Sequence, residues 1–209
     1  MNDILMLSDD VYMFKNQDFY GEPVSTYLLN LQDQCILIDI PNYTKRNHDF
    51  IAGMGKNTCV YLSHGSTGTK EGNLLCKELK IPVYIHEGDK KNKWLQIADP
   101  VYWNGKERVP HPAVTGYHTP GHAAGSIALY YKEKRMLFTG DTVYGDIQNE
   151  IKDFMQESRN EDVNERFKSC IFLSKLSFDQ LLPFHGTIIL KNAELKLKNF
   201  LNAKLKTKH

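Results

Sequence analysis

Four side chains that can bind a metal ion lie just beyond apolar runs, and each has glycine close by. They are His64 in YLSHGS, His122 in TPGHAAGS, Asp141 in LFTGDT and His185 in PFHGT. Strand ends place side chains on a common rim of a sheet, and glycine lets the backbone approach a ligand closely. Imidazole and carboxylate groups are ligands for zinc and for ferrous iron. We therefore expect these four residues, although far apart in sequence, to converge on one metal site.

The segments around these residues resemble a known family. TPGHAAGS, LFTGDT and PFHGT, together with VSTYLLN, ILIDIP and PVYIHEGD, are similar to the motifs of the metallo-β-lactamase superfamily, and most of all to its glyoxalase II-like branch. The resemblance extends over roughly residues 11–190. It implies an α/β (α+β) fold, a four-layer αββα sandwich of two mixed β-sheets, with residues 1–209 as a single domain.

The sequence departs from the family at the motif HxHxDH. The motif would begin at His64, but the second histidine is replaced by Ser66, the aspartate by Gly68 and the third histidine by Thr69. These losses affect both halves of the usual two-metal site.

The remaining residues imply a reduced metal site. By the resemblance, the first position keeps His64, His122 and Asp141, whereas the second keeps only Asp141 and His185. Catalytic zinc takes three protein ligands and an open position, so we expect one divalent metal. Zinc is the first expectation and iron is the alternative, since two histidines and a carboxylate also form the facial triad of iron oxygenases. A third alternative is that the site is folded but holds no metal.

These ligands lead to three hypotheses of function. The first is a metal-dependent hydrolase of a small-molecule ester or thioester, in which Asp141 orients the water and His185 replaces the lost base. The second is a degenerate family member that acts as a binding protein. The third is a mononuclear iron oxygenase similar to persulfide dioxygenases.

The loop GSTGT at residues 65–69 also has two interpretations. It is either a polar turn that caps a helix starting at Lys70, or a ring of N–H groups that binds an anion. His118 is expected to make a supporting or packing contact near the site, and Tyr144 to pack as a buried aromatic or to line the pocket. His48, His86, His111 and His209 are expected to lie outside the ligand set.

Composition narrows the class of partner. With 41% hydrophobic and 24% charged residues and a net charge of +1, the chain is typical of a globular protein and lacks the charge excess that binds nucleic acid or an anionic membrane. The N-terminal segment does not read as a secretory signal, and the four cysteines have no CxxC spacing. We therefore expect a cytoplasmic protein with reduced thiols; the sequence does not indicate its oligomeric state.

Periodicity predicts the elements that position these residues. The predicted strands are Val11–Phe14, Ser25–Leu29, Cys35–Asp39, Thr58–Leu62, Val83–Ile85, Ala113–His118, Ile127–Tyr131, Met136–Thr139 and Thr187–Leu190, and the predicted helices are Lys70–Leu79, Val163–Leu176 and Ala193–Leu205.

Overall fold

The structure is a computed structural model that describes residues 4–18, 20–156 and 162–206. The chain divides into two compact units, Met1–Trp103 and Asn104–His209. Each unit contains one β-sheet and its own hydrophobic core.

The first unit is built on a seven-stranded mixed sheet in which the strands follow chain order. Strands β1 to β4 pair antiparallel and β4 to β7 pair parallel. Helices connect the first three of the parallel strands, and residues 87–100 connect the last two without an α-helix. The elements are β1 Ile4–Ser8, β2 Val11–Gln17, β3 Pro23–Asn30, β4 Gln34–Ile38, α1 Lys45–Gly53, β5 Asn57–Tyr61, α2 Lys70–Glu78, β6 Val83–His86 and β7 Val101–Trp103.

The second unit is built on a five-stranded sheet and two helices. Its strand order is β12-β11-β10-β9-β8, antiparallel except for the parallel pair β11 and β12. Residues of β10, β11 and both helices form the unit's core. The elements are β8 Glu107–His111, β9 Val114–His118, β10 Ile127–Tyr131, β11 Met136–Gly140, α3 Val163–Leu173, β12 Gln180–Pro183 and α4 Ala193–Lys206.

Three predictions about these elements are wrong. Thr187–Leu190 is not a strand, because Thr187 and Ile189 make only isolated bridges to Gly145 and Leu181. Helical spacing predicts that Leu195, Leu197, Phe200, Leu201 and Leu205 face inward from the last helix. Leu197 and Leu201 are buried there, but Leu195 and Leu205 are exposed. The prediction also lacks β1, α1, β7, β8 and β12. For β1 and α1 the reason is that few of their residues are buried, so they produce no pattern.

Candidate metal centre

Asp141 is the centre of a cluster in the second unit. It follows β11 directly and is 5% exposed. Its Oδ2 lies 2.9 Å from Nδ1 of His185 and 3.5 Å from Nε2 of His122, while its Oδ1 accepts the backbone N–H of His185 at 3.0 Å. Three of the four predicted residues are thus brought together around one buried carboxylate.

The two imidazoles stand in different relations to that carboxylate. Two ligand atoms about 2.1 Å from one tetrahedral metal ion are about 3.4 Å apart. The 3.5 Å between His122 Nε2 and Asp141 Oδ2 matches this ligand spacing. The 2.9 Å between His185 Nδ1 and Asp141 Oδ2 instead suits a charge-assisted hydrogen bond. The donor set therefore fits a divalent metal at His122 and Asp141, with His185 oriented by the same carboxylate.

Backbone conformation fixes the loop that carries His185. Gly186 has φ +78°, in the left-handed region, and a Cβ there would lie 2.7 Å from Cδ2 of Tyr144. Thr187 and Gly145 exchange backbone hydrogen bonds of 2.8 and 3.0 Å. Tyr144, which is half-buried, thus packs beside the His185 loop.

In the first unit, His64 also follows a strand and lies three residues beyond the end of β5. It is 2% exposed, and its Nδ1 lies 3.0 Å from Oγ of Ser63. Asp39, at the end of β4, accepts the N–H of Ser63 at 2.7 Å and the hydroxyl of Thr67 at 2.6 Å. Asp39, which sequence reasoning did not single out, therefore holds the backbone just before His64 and a side chain just after it.

The loop after His64 is closely covered by the segment between β6 and β7. A Cβ at Gly65 would lie 2.6 Å from Nδ2 of Asn92. A Cβ at Gly68 would lie 2.7 Å from Cδ1 of Leu95 and 2.9 Å from Cγ1 of Ile97. Apolar side chains therefore fill the space that a larger residue at position 68 would need.

The loop at residues 65–69 behaves as a helix cap. Gly65–Thr67 forms a 3-10 turn, and the Thr69 side chain accepts the N–H of Gly72 at 3.0 Å at the start of α2. The N–H groups of residues 65, 67, 68 and 69 donate to acceptors within the protein. This arrangement supports the capping interpretation, because those N–H groups are already used.

Helix α3 supports the loops of Asp141 and His122. Arg166, which is 1% exposed, donates from Nη2 to the Asp141 carbonyl at 2.6 Å and from Nε to the Thr142 carbonyl at 2.9 Å. Ser169 Oγ donates to the carbonyl of Pro120 at 2.7 Å. Sequence reasoning missed Arg166, although it lies four residues before Cys170 and so shares the apolar face of α3.

Of the remaining histidines, the structure describes His48, His86, His111 and His118. His118 Nε2 contacts the carbonyl oxygen of Ala124 at 2.8 Å and thus steadies the His122 loop, as expected for a supporting residue. His86 is buried and accepts the Gly88 N–H at 3.1 Å, whereas His48 and His111 are half-buried. His209 lies outside the described residues.

The four cysteines, all within the described ranges, are free thiols, and three of them are buried. Burial raises the pKa of Cys170, beside the Asp141 loop, to about 12. A thiol with this pKa is protonated at neutral pH and packs as a small hydrophobe.

Across the described segments, none of the helices combines the length and the hydropathy that crossing a bilayer requires.

Comparison with known proteins places the chain in a family. It aligns over 201 residues, at 25% identity, with "Probable metallo-hydrolase YybB" of Bacillus subtilis, covering 86% of this chain and 87% of the relative. Its structure is similar to that of VMB-1 (TM-score 0.78, 16% identity, 100% of this chain and 98% of that chain). It is also similar to mono-zinc FIM-1 of Pseudomonas aeruginosa (TM-score 0.75, 14% identity, 97% and 96%).

These structural neighbours confirm the predicted fold class of two mixed sheets with flanking helices. The sequence profile described as "Metallo-beta-lactamase superfamily" matches residues 72–185, more than half of the chain. The chain therefore belongs to the metallo-β-lactamase superfamily.

Proposed function

We propose that the protein is a metal-dependent hydrolase of a small-molecule ester or thioester, with one divalent metal held by His64, His122 and Asp141. The observation that carries the proposal is the buried Asp141 carboxylate, whose Oδ2 is 3.5 Å from Nε2 of His122 and 2.9 Å from Nδ1 of His185. Adding His64 gives two imidazoles and a carboxylate, a set that can hold a metal ion. Membership of the superfamily and the name of the Bacillus relative support hydrolysis.

Asp141 and His185 supply the protein's own contribution to catalysis. A bound divalent metal would polarise a carbonyl and lower the pKa of its water to about 7. Asp141 accepts a hydrogen bond from Nδ1–H of His185, and this fixes the tautomer in which Nε2 has the lone pair. His185 can then take a proton from the attacking water as the general base. The other oxygen of Asp141, Oδ1, accepts the His185 backbone N–H and so helps to keep the imidazole in a fixed position.

One metal is favoured over two by the packing around Gly68. By the resemblance, Gly68 replaces an aspartate and Thr69 replaces a histidine of the second metal position. Leu95 and Ile97 fill the space beside Gly68, and the Thr69 side chain caps α2. The second position therefore lacks the two ligands that residues 68 and 69 would supply, and the packing leaves no room for a carboxylate at residue 68.

The type of metal and the branch of the family are further parts of this proposal. Zinc is the first choice because His and carboxylate ligands suit it and because FIM-1, a structural neighbour, has a mono-zinc form. The TPGHAAGS and PFHGT motifs favour a glyoxalase II-like thioester substrate. Ferrous iron bound by the same triad would instead support a persulfide oxygenase, which oxygen uptake with a persulfide and added iron would reveal.

The test is hydrolysis of a panel of aryl esters and acyl thioesters by the zinc-loaded protein. His122→Ala is expected to lose bound metal and to fall to the background rate. His48→Ala removes an equivalent, half-buried imidazole from α1 and is expected to retain both. Undiminished turnover by His122→Ala would exclude the proposed mechanism, and a folded wild type that binds metal but hydrolyses none of the panel would favour the binding-protein alternative.

A further inference from the structure

We propose that Arg166 is a positioning residue for the metal centre, and that α3 uses it to hold the Asp141 loop in a fixed relation to the His122 loop. The effect on metal affinity rests on the proposed function. The effect on the two loops does not, because it follows from contacts within the second unit alone.

The Arg166 side chain binds two consecutive carbonyl groups. Its Nη2 and Nε donate to the carbonyls of Asp141 and Thr142 at 2.6 and 2.9 Å. Burying a guanidinium is costly unless it is hydrogen-bonded, and charge-assisted bonds are the stronger ones. The rings of Phe154 and Tyr144 lie 4.4 and 5.6 Å from its Cζ and limit its movement. The planar group therefore fixes the orientation of the Asp141–Thr142 peptide.

The backbone of the same helix holds the loop of His122. Gly121 has φ +132°, and a Cβ there would lie 2.1 Å from the backbone nitrogen of Arg166, so only glycine allows this approach. The carbonyl of Gly121 accepts the Asp162 N–H at 2.9 Å, and Ser169 binds the carbonyl of Pro120 at 2.7 Å. Contacts with residues 162, 166 and 169 thus hold the chain just before His122 in place.

The two loops are also joined directly. The hydroxyls of Thr119 and Thr142, both fully buried, lie 3.1 Å apart. The Asp141 side chain extends from the backbone that Arg166 orients. Its Oδ1 accepts the His185 N–H at 3.0 Å. The exchange rate of that amide hydrogen therefore reports on the position of the Asp141 carboxylate.

The experiment compares Arg166→Met, which keeps much of the length without the donors, with Arg166→Lys, which retains the charge but not the planar fork. Ser169→Ala removes only the bond to Pro120. Lys168→Met, in the same helix with a 70% exposed side chain, is the matched control. Amide hydrogen exchange is measured on the metal-free proteins, and zinc dissociation constants by competition with a chromophoric chelator.

We expect Arg166→Met to speed exchange at the amides of Thr142 and His185 and to weaken zinc binding by about 10–100-fold, the usual effect of removing a residue that orients a ligand. Ser169→Ala should speed exchange at Gly121 and Ala123 instead, and Lys168→Met should change neither. If Arg166→Met does not fold, Arg166→Lys provides the test. We expect it to speed exchange at the amides of Thr142 and His185 by a smaller factor. Unchanged exchange at Thr142 and His185 in the folded Arg166 variant overturns the inference. Faster exchange there with a wild type that binds no zinc would uphold the loop assignment and reject the metal site.

Discussion

At the scale of single residues, His122 and His185 stand in different relations to Asp141. His122 and His185 both follow a strand, yet only His122 Nε2 stands at ligand spacing from Asp141 Oδ2. His185 Nδ1 instead lies within hydrogen-bond distance of that oxygen. We expect removal of the two imidazoles to have different consequences, since we propose that His122 binds the metal and that His185 moves a proton.

Replacing His185 with alanine should therefore separate catalysis from metal binding. Loss of a general base costs about 10²–10⁴-fold in rate, whereas zinc should stay bound through its other ligands. Steady-state kinetics and metal analysis of the same sample provide the two readouts. Partial rescue of the rate by added imidazole is expected, and loss of zinc on this substitution would instead make His185 a ligand.

At the scale of elements, packing of the segment between β6 and β7 explains why residue 68 is glycine. Its φ is −84°, so backbone conformation does not demand glycine there. The requirement is spatial, because Leu95, Ile97 and Leu62 lie 2.7, 2.9 and 3.0 Å from the position of a Cβ. A methyl group at this position would force several apolar side chains to move together.

Gly68→Ala should accordingly destabilise the protein by about 1–3 kcal/mol, as overpacking usually does. Gly53→Ala is the matched control, since a Cβ at the end of α1 meets nothing within 4 Å. That change should be neutral or stabilise by up to about 1 kcal/mol, because alanine restricts the unfolded chain. Denaturant unfolding of both variants measures the difference; equal stabilities would mean that Leu95 and Ile97 do not fill the space.

The sequence predicted elements well where burial imposes a period. Buried strands β4, β5, β10 and β11 were placed within a few residues, as were α2, α3 and α4. Helix α1 was not predicted because its buried residues are only Asn47 and Ile51. Arg166 was missed because charged residues are almost never fully buried unless paired, and its role depends on carbonyls about 24 residues away in the chain.

At the scale of the whole molecule, each unit of the chain carries residues that the sequence predicts as metal ligands. The second unit supplies His122, Asp141 and His185, and the first supplies His64, held by Ser63 and Asp39. Sequence motifs predicted all four as candidate ligands, since short loops after strands have a recognisable pattern. They could not identify the contacts of α3 or of Leu95, because those partners are distant in sequence and carry no motif.

The central claim is that this chain binds one catalytic metal ion, and the metal content of untagged protein purified without chelator tests it most directly. We predict one divalent ion per chain in the wild type and none in His122→Ala, with His48→Ala unchanged. Two ions per chain in the wild type, or hydrolysis by protein that holds none, would contradict the account.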